Sequence, residues 1–196
     1  MGQDKAMLPV GKGTLLDLMQ RKLAATELFD QIVVCRDQQL GGTTSKCLAD
    51  IHPGKGPLGA LYTLSIHYPD HSVLVVPVDM PLLGPELLRE LCASYGKETT
   101  ALYYEGHHFP LLLHLNKKTI LHLAKRIKNN HADLSVGGLI RDIEARQLPA
   151  PKNISQLANL NTPQEWQALR QQLDHPNGLN QGRLSSSISA DHSYKP

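Results

Sequence analysis

Asp79 is the residue of this 196-residue chain best suited to bind a cation. It directly follows SVLVVPV, an apolar stretch at residues 72–78 that is typical of a buried strand. A carboxylate placed there is expected at the edge of a sheet, where Mg²⁺ takes one or two carboxylates and completes its shell with phosphate and water oxygens. A role in which Asp79 only stabilises the turn into the next helix is equally compatible with its position.

Lys5 and the glycine-rich stretch HPGKGPLGA, at residues 52–60, are suited to bind phosphate. Lysine offers a point charge on a flexible stem, although a single lysine is usually a solvated surface residue. The glycines allow close backbone approach, and a helix that begins there presents free N–H groups. The stretch lacks the Walker A spacing, so a plain loop is equally compatible. Asp50, just upstream, is suited either to bind ribose or base or to stabilise the turn.

The cysteines and paired histidines indicate no second site. Cys35, Cys47 and Cys92 are widely spaced and form no CxxC pair, which predicts reduced thiols and argues against a disulfide framework or a zinc site. Cys35 ends a predicted strand without a triad-like partner, so we expect no nucleophilic role for it. His107 and His108 are expected in a polar hairpin turn.

Alternating strand and helix patterns predict one α/β domain with a mostly parallel sheet, over residues 1–173. Ligands bind outside the carboxyl ends of the strands in such sheets, which directs attention to Lys5, Asp50 and Asp79. Strands are predicted at residues 32–34, 46–51, 72–78, 100–104, 109–115 and 158–160. Helices are predicted at residues 14–23, 58–67, 85–94, 117–129, 134–144 and 162–173, the last with a capping box. Residues 174–196 are polar and predict a disordered tail.

Composition argues against several classes of protein. The formal net charge is only +2 and aromatic residues make up 5%, which disfavours nucleic-acid binding. No apolar run is long enough to cross a bilayer, and the first residues do not resemble a signal peptide. We therefore predict a cytoplasmic protein with no membrane or nucleic-acid partner.

Four segments of the chain occur in a fixed order: MGQDKAMLPVGKGTLL, HPGKGPLGAL, VLVVPVDMPLL and ANLNTPQEW. Together they resemble the MobA-like nucleotidyltransferases, and molybdenum cofactor guanylyltransferases most of all. MGQDKAMLPVGKGTLL resembles the second half of the signature LAGGxSxRMGxDKAxLxxxGxxLL. HPGKGPLGAL resembles PGxGPLAGI, VLVVPVDMPLL resembles the metal-site strand, and ANLNTPQEW resembles NxNTPEE. Order and spacing agree from Met1 to about Leu173.

The resemblance implies a three-layer, Rossmann-like domain whose first strand is missing from this chain. In the family this strand is central, so its place is expected between the predicted strands at 32–34 and 73–78. Its absence would leave an apolar slot with unpaired backbone groups, which is costly inside a sheet. Two explanations are open: the natural chain begins upstream of Met1, which we favour, or the protein is truncated and its nucleotide binding and transferase activity are impaired.

The resemblance also implies the site and the reaction. GMP would pass from GTP to molybdopterin with release of pyrophosphate, with Mg²⁺ as cofactor. The residues implied are Lys5 for the phosphates, Asp50 with Pro57, Leu58 and Gly59 for the nucleotide pocket, Asp79 for Mg²⁺, and Asn159 with Asn161 for the pterin side. At Cys35 the family often has Asn, and at Phe109 it commonly has His. A molybdoenzyme or a cofactor-delivery protein would be the protein partner.

Two alternatives stay open at the level of sequence. One is a related nucleotidyltransferase that uses CTP or another phosphorylated acceptor. The other is a non-catalytic binding protein derived from this fold. Retention of Lys5, Asp50 and Asp79 favours an enzyme, because a decayed site has no chemical need for them.

Overall fold

The protein is described here from a computed structural model that covers residues 4–36, 46–129 and 133–174. Within these ranges the strands are β1 (Pro9–Val10), β2 (Gly13–Thr14), β3 (Val33–Arg36), β4 (Lys46–Ala49), β5 (Ser72–Val75), β6 (Ala101–Tyr104), β7 (Leu111–His114) and β8 (Arg146–Leu148). The helices are α1 (Leu15–Ala24), α2 (Gly56–His67), α3 (Pro85–Ala93), α4 (Lys117–Lys128), α5 (Val136–Asp142) and α6 (Pro163–Asp174). Two 3₁₀ turns span Lys5–Met7 and Ile154–Leu157. The predicted tail lies outside the described residues.

The largest sheet has the strand order β5-β7-β6-β8 and is mixed. β7 runs antiparallel to both β5 and β6, whereas β8 runs parallel to β6. The prediction of a mostly parallel sheet is therefore wrong for the pairing, although β5, β6 and β8 share one direction. The physical reason is the short connection between β6 and β7, because a tight turn can join only antiparallel neighbours.

Helices cover both faces of this sheet, which confirms the three-layer arrangement. Along β7, Leu111 and Leu113 face a core formed with α2, α4 and α5. Leu112, between them, faces the opposite core formed with α3. This alternation follows from the two-residue side-chain period of a strand and accounts for the wholly apolar Leu111–Leu113 run.

The parallel pair β3 and β4 forms a separate small sheet. Among the described residues, β3 pairs with β4 and β5 pairs with β7, and the two sheets do not join. A cavity of about 820 Å³ lies between β3 and β5.

A third core joins the two ends of the described chain. Leu15 and Leu18 of α1 pack with Trp166 and Leu169 of α6. The hairpin of β1 and β2, which the sequence pattern did not predict, turns at Gly11, whose φ is 55°, and leads directly into α1. A two-residue turn of this kind favours glycine at positive φ.

Two predicted strands need correction. The strand predicted at 72–78 ends at Val75, which pairs with Leu111. The next partner would be Pro110, which has no N–H to offer to the ladder. The strand predicted at 158–160 is extended coil, in which Ala158 N donates to Ser155 O at 3.2 Å and Leu160 N donates to Asp79 O at 2.8 Å.

No helix in the described ranges has both the length and the apolar character needed to cross a membrane.

Candidate active site

Lys5, Asp79 and Asn161 meet in one cluster. The Lys5 ammonium donates to Asp79 Oδ2 at 2.8 Å and to Asn161 Oδ1 at 3.2 Å. Side-chain exposure is 28% for Lys5 and 20% for Asp79, so both groups remain accessible from solvent. Three of the residues that the sequence predicts for the site are thus brought together from distant parts of the chain. A cation and a carboxylate in contact at a partly open edge can bind phosphate and metal together.

The 3₁₀ turn at Lys5–Met7 positions the lysine. Asp4 caps this turn, because its Oδ1 accepts a hydrogen bond from Ala6 N at 3.1 Å. Its other carboxylate oxygen accepts from Arg36 Nη2 at 2.5 Å, at the carboxyl end of β3. Asp4 and Lys5 therefore have separate roles. Asp4 holds the backbone of the turn, and Lys5 extends to Asp79.

The turn after β5 is held from two sides. Leu160 N donates to the Asp79 carbonyl, as described above. Lys22 of α1 donates to Pro81 O at 2.5 Å and to Leu83 O at 3.2 Å. Burial lowers the pKa of Lys22, which reflects the cost of placing an ammonium group under this turn. Sequence reasoning did not identify Lys22; the signal was its place on α1 one helical turn after the buried pair Leu18 and Met19.

Asn161 is fixed by the start of α6. Glu165 Oε2 accepts from Asn161 N at 2.7 Å and from Thr162 N at 3.0 Å. Glu165 N donates to Thr162 Oγ1 at 3.2 Å, so the predicted capping box is confirmed. Asn159 lies exposed two residues earlier in the same extended segment. Both asparagines are therefore presented beside α6, with Asn161 in the cluster itself.

The loop between β4 and α2 places Asp50 beside Gly59. Asp50 N donates to Arg36 O at 2.9 Å, which ties the loop to the end of β3. A Cβ at Gly59 would lie 3.0 Å from His52 O and 3.4 Å from Asp50 Oδ2. Glycine is thus required at this point of close approach between the loop and the first turn of the helix.

Pro57 and Leu58 face different surroundings. Pro57 lines the cavity together with Asp50. Leu58 is fully buried, and its side chain packs into the core of α2, α4 and β7. Leu58 therefore supports the wall of the predicted nucleotide pocket from behind. The cavity extends to Asp4 and Val78, the chain neighbours of Lys5 and Asp79.

Cys35 lies on the cavity wall as a protonated thiol. Burial, and then the negative charge of Asp50, raise the pKa of Cys35 to about 12. A thiol with this pKa carries almost no thiolate near neutral pH, in agreement with the expectation that Cys35 is not a nucleophile.

The donor set at Asp79 fits a magnesium ion that is held partly by substrate. Within the described ranges no group of three or more His, Cys, Asp or Glu side chains forms a metal cage. Mg²⁺ does not need one, because it commonly takes one or two carboxylates and leaves its other positions to phosphate and water. Asp79 supplies one carboxylate beside an ammonium group that can contact the same phosphates.

Similar solved structures show the class of fold. Residues of this chain superpose on the 2-C-methyl-D-erythritol 4-phosphate cytidylyltransferase of Thermus thermophilus with a TM-score of 0.62, 16% identity, and coverage of 85% of this chain and 92% of that one. The protein Rv0371c of Mycobacterium tuberculosis, in complex with manganese, superposes with a TM-score of 0.57, 20% identity, and coverage of 87% and 93%. The fold is that of the nucleotidyltransferases.

The sequence comparisons identify the family. The model of the MobA-like NTP transferase domain matches residues 1–146. The molybdenum cofactor guanylyltransferase of Xanthomonas euvesicatoria is 31% identical over 171 residues, which cover 86% of this chain and 87% of that protein. A probable molybdenum cofactor guanylyltransferase of Mycobacterium avium is 33% identical over 184 residues, covering 87% and 89%. The chain belongs to the MobA-like NTP transferase family and is a nucleotidyltransferase.

Proposed function

We propose that this enzyme transfers GMP from GTP to molybdopterin and releases pyrophosphate. The observation that carries the proposal is the contact of Lys5 with Asp79 and Asn161 in one partly open cluster. The names of the curated relatives support guanylyl transfer to the molybdenum cofactor. In this reaction a terminal phosphate oxygen of molybdopterin attacks the α-phosphorus of GTP, and the bond between the α-phosphorus and the bridging oxygen breaks.

The chain needs no covalent intermediate for this step, because positioning and charge neutralisation supply most of the catalysis. Lys5 would hold phosphate oxygens and offset the negative charge that grows on the leaving pyrophosphate. Asp50, Pro57 and the first turn of α2 around Gly59 would hold the nucleotide. Asn159 and Asn161 would orient the pterin-side acceptor.

Asp79 would hold Mg²⁺ together with substrate phosphate and water. When bound, the ion supplies a Lewis acid that stabilises the charge on the phosphoryl oxygens. The side-chain amide of Asn161 stands beside this carboxylate through their shared partner Lys5. The same three side chains would thus contact both the donor and the acceptor ends of the reaction.

The first experiment compares the native chain with Asp79→Asn in a coupled assay of GTP, molybdopterin and Mg²⁺. We expect the variant to lose on the order of 100-fold in kcat, as is common when a charge-stabilising group is removed. It should also lose the Mg²⁺-dependent thermal shift that GTP produces. Glu105→Gln, at an exposed carboxylate on the β6–β7 turn, serves as the matched control and should behave like the native chain. An unchanged kcat in Asp79→Asn would exclude Asp79 as the metal residue.

A second candidate is cytidylyl transfer to molybdopterin. The observation that favours it is the structural likeness to a cytidylyltransferase. The same assay, run with CTP in place of GTP, decides between the two, and a higher kcat/KM with CTP would overturn the guanylyl proposal. Absence of turnover and of any nucleotide-dependent thermal shift would leave the non-catalytic binding protein as the better description.

The product also implies a partner. A guanylylated molybdenum cofactor is useful only after it reaches an enzyme that contains it, so we propose a molybdoenzyme or a delivery protein as the protein partner. A cytoplasmic location fits such an exchange.

A further inference from the structure

We infer that Gln156 is a positioning residue, which holds Asn159 and Asn161 in place for the acceptor. Its side chain anchors residues 153–161, which we call the acceptor arm, to residues 79–84, which form the Asp79 turn. The inference rests on the proposed function for the identity of the acceptor, whereas the anchoring itself follows from contacts within the chain.

Two hydrogen bonds join the acceptor arm to the Asp79 turn. Leu160 N donates to Asp79 O at 2.8 Å, and Gly84 N donates to Gln156 Oε1 at 2.8 Å. The first residue of the turn is thus bonded to the later residue of the arm, so the two stretches run antiparallel. Asn159 lies between the two anchored residues of the arm.

The bond between Gly84 and Gln156 requires glycine in the turn. A Cβ at Gly84 would lie 2.6 Å from Gln156 Oε1, which is too close for a carbon atom. Gly84 has φ −100° and ψ 158°, a conformation open to other residues, so its backbone does not itself demand glycine. Glycine is needed because the amide oxygen of Gln156 approaches the backbone closely.

The backbone of Gln156 is held by its neighbour Leu157. Leu157 is 2% exposed and packs with Met80 and Leu83 of the Asp79 turn. Gln156 N also donates to Asn153 O at 3.3 Å within the 3₁₀ turn. The amide of Gln156 therefore reaches the Asp79 turn from a buried support, and its contact is not a loose surface contact.

The two asparagines depend on these anchors to different degrees. Asn159 is exposed, so the direction of its side chain depends on the backbone that carries it. Leu160 fixes this backbone on one side, and Gln156 fixes it on the other. Asn161 is held more firmly, because the Lys5 ammonium and the start of α6 also contact it. We therefore expect loss of the Gln156 anchor to act mainly through Asn159.

A bond that served only the start of α3, which directly follows Gly84, would act on stability alone. Its loss would lower the fraction of folded enzyme and so lower kcat, without changing the KM of either substrate. A bond that positions the acceptor arm instead changes the KM for the acceptor and leaves the KM for the nucleotide unchanged. The two roles are therefore separated by the KM values.

The test compares the steady-state kinetics of Gln156→Ala and Gln156→Glu. Alanine removes the oxygen that accepts from Gly84 N, so we expect the KM for molybdopterin to rise about five- to tenfold, the scale of one hydrogen bond. The KM for GTP should stay within about twofold of the native value. Glutamate keeps an oxygen in the same place and should restore most of the native KM. Gln167→Ala, at an exposed glutamine of α6, is the matched control and should keep native kinetics.

Gly84→Ala tests the same bond from its other partner. The added Cβ displaces the amide oxygen, so this variant should raise the KM for molybdopterin by a similar factor. In the double variant with Gln156→Ala the clash is absent, and the KM should be no higher than in Gln156→Ala alone. An additive rise, a loss of kcat alone, or equal rises in the KM of both substrates would overturn the inference.

Amide exchange at Leu160, followed by NMR, separates the anchoring from the proposed reaction. We expect this amide to exchange at least about threefold faster in Gln156→Ala, with Leu169 of α6 as the unchanged reference. If the native chain turns over molybdopterin with neither GTP nor CTP, the proposed function fails and the exchange rate alone decides the anchoring. A native rate at Leu160 in Gln156→Ala would overturn the anchoring whatever the acceptor.

Discussion

At the scale of single residues, the position of the Asp79 carboxylate depends on a lysine that does not touch it. Lys22 holds the carbonyls of Pro81 and Leu83, and so fixes the turn through which the chain leaves β5. A buried ammonium group is costly unless its hydrogen bonds are made, so these two contacts offset much of the cost of burying it. The Asp79 carboxylate is therefore oriented by the backbone behind it.

Lys22→Met tests this role, because methionine keeps the apolar stem and removes the donors. We expect the unfolding free energy to fall by about 2 kcal/mol, the usual scale for hydrogen bonds to a charged group. Denaturant unfolding measures this loss, and the Mg²⁺-dependent thermal shift with GTP should weaken with it. Lys97→Met, at an exposed lysine, is the control. A variant with lowered stability but a full thermal shift would show that Lys22 supports the fold and not the Asp79 turn.

At the scale of elements, the start of α1 is the clearest case of a helix end that is determined by neighbouring residues. Thr14 N and Oγ1 both donate to Asp17 Oδ2 at 2.8 Å, and Asp17 N donates to Thr14 Oγ1 at 3.2 Å. These bonds form the capping box, and the backbone bond from Thr14 is the main reason that the pKa of Asp17 is lowered. α1 in turn carries Lys22 and the wall of the cavity, so this cap positions both.

Asp17→Asn tests the cap and its pH dependence. A carboxylate with a lowered folded-state pKa contributes stability above its unfolded pKa of about 4, and that stability is lost as the pH falls through the folded value. We expect a loss of about 1 kcal/mol at pH 7, typical of a weakened helix cap. The difference between variant and native chain should shrink below pH 4.

Thermal unfolding at pH 7 and pH 3 measures both quantities. Glu98→Gln, which removes an exposed carboxylate, should change neither. A difference for Asp17→Asn that is the same at both pH values would rule out the ionised carboxylate as the source of the effect.

Comparison with the sequence-based predictions shows which features are local. The capping box of Thr162 and Glu165 could be predicted, because four consecutive residues determine it. The end of β5 at Val75 could not, because it depends on Pro110 across the sheet. The pattern also predicted a strand at 158–160, where Leu160 instead donates a backbone bond to Asp79 and packs in the core with α1 and α6.

The residues of the candidate site also differ in whether the sequence alone could predict them. Lys5 and Asp79 could be predicted as chemistry-bearing residues from their types and from the apolar stretch before Asp79. Their contact, and the part played by Asn161, could be expected only through the family resemblance, since no spacing in the sequence relates them. Arg36 was missed because its partner, Asp4, is far from it in the sequence. Lys22 was missed because its partners are backbone carbonyl groups of distant residues.

At the scale of the whole molecule, α6 closes the structure onto its beginning. Trp166 is 9% exposed and packs with Val10, Leu15 and Leu18. This packing holds the segment before α6 against the Asp79 turn. The core that joins the two ends of the described chain therefore also supports the candidate site.

Trp166→Ala should therefore affect both stability and the site. We expect a loss of about 3–5 kcal/mol of unfolding free energy, the range for removing a large aromatic side chain from a core. Circular dichroism is the measurement of choice, because Trp166 is the only tryptophan of the chain and its fluorescence disappears with it. Trp166→Phe should lose less. Equal losses in the two variants would mean that the ring is not packed as described.

The hydrogen bond between Lys5 and Asn161 joins residues 156 positions apart, and this separation sets the order of events on the ribosome. Translation at about 5–20 residues per second would synthesise Lys5 roughly 8–30 seconds before Asn161. The Lys5–Asp79 pair can form in the nascent chain during that interval, but the amide that completes the cluster is made near the end. The three-residue cluster is thus complete only when synthesis is nearly finished, and partly translated chains would carry the Lys5–Asp79 pair without Asn161.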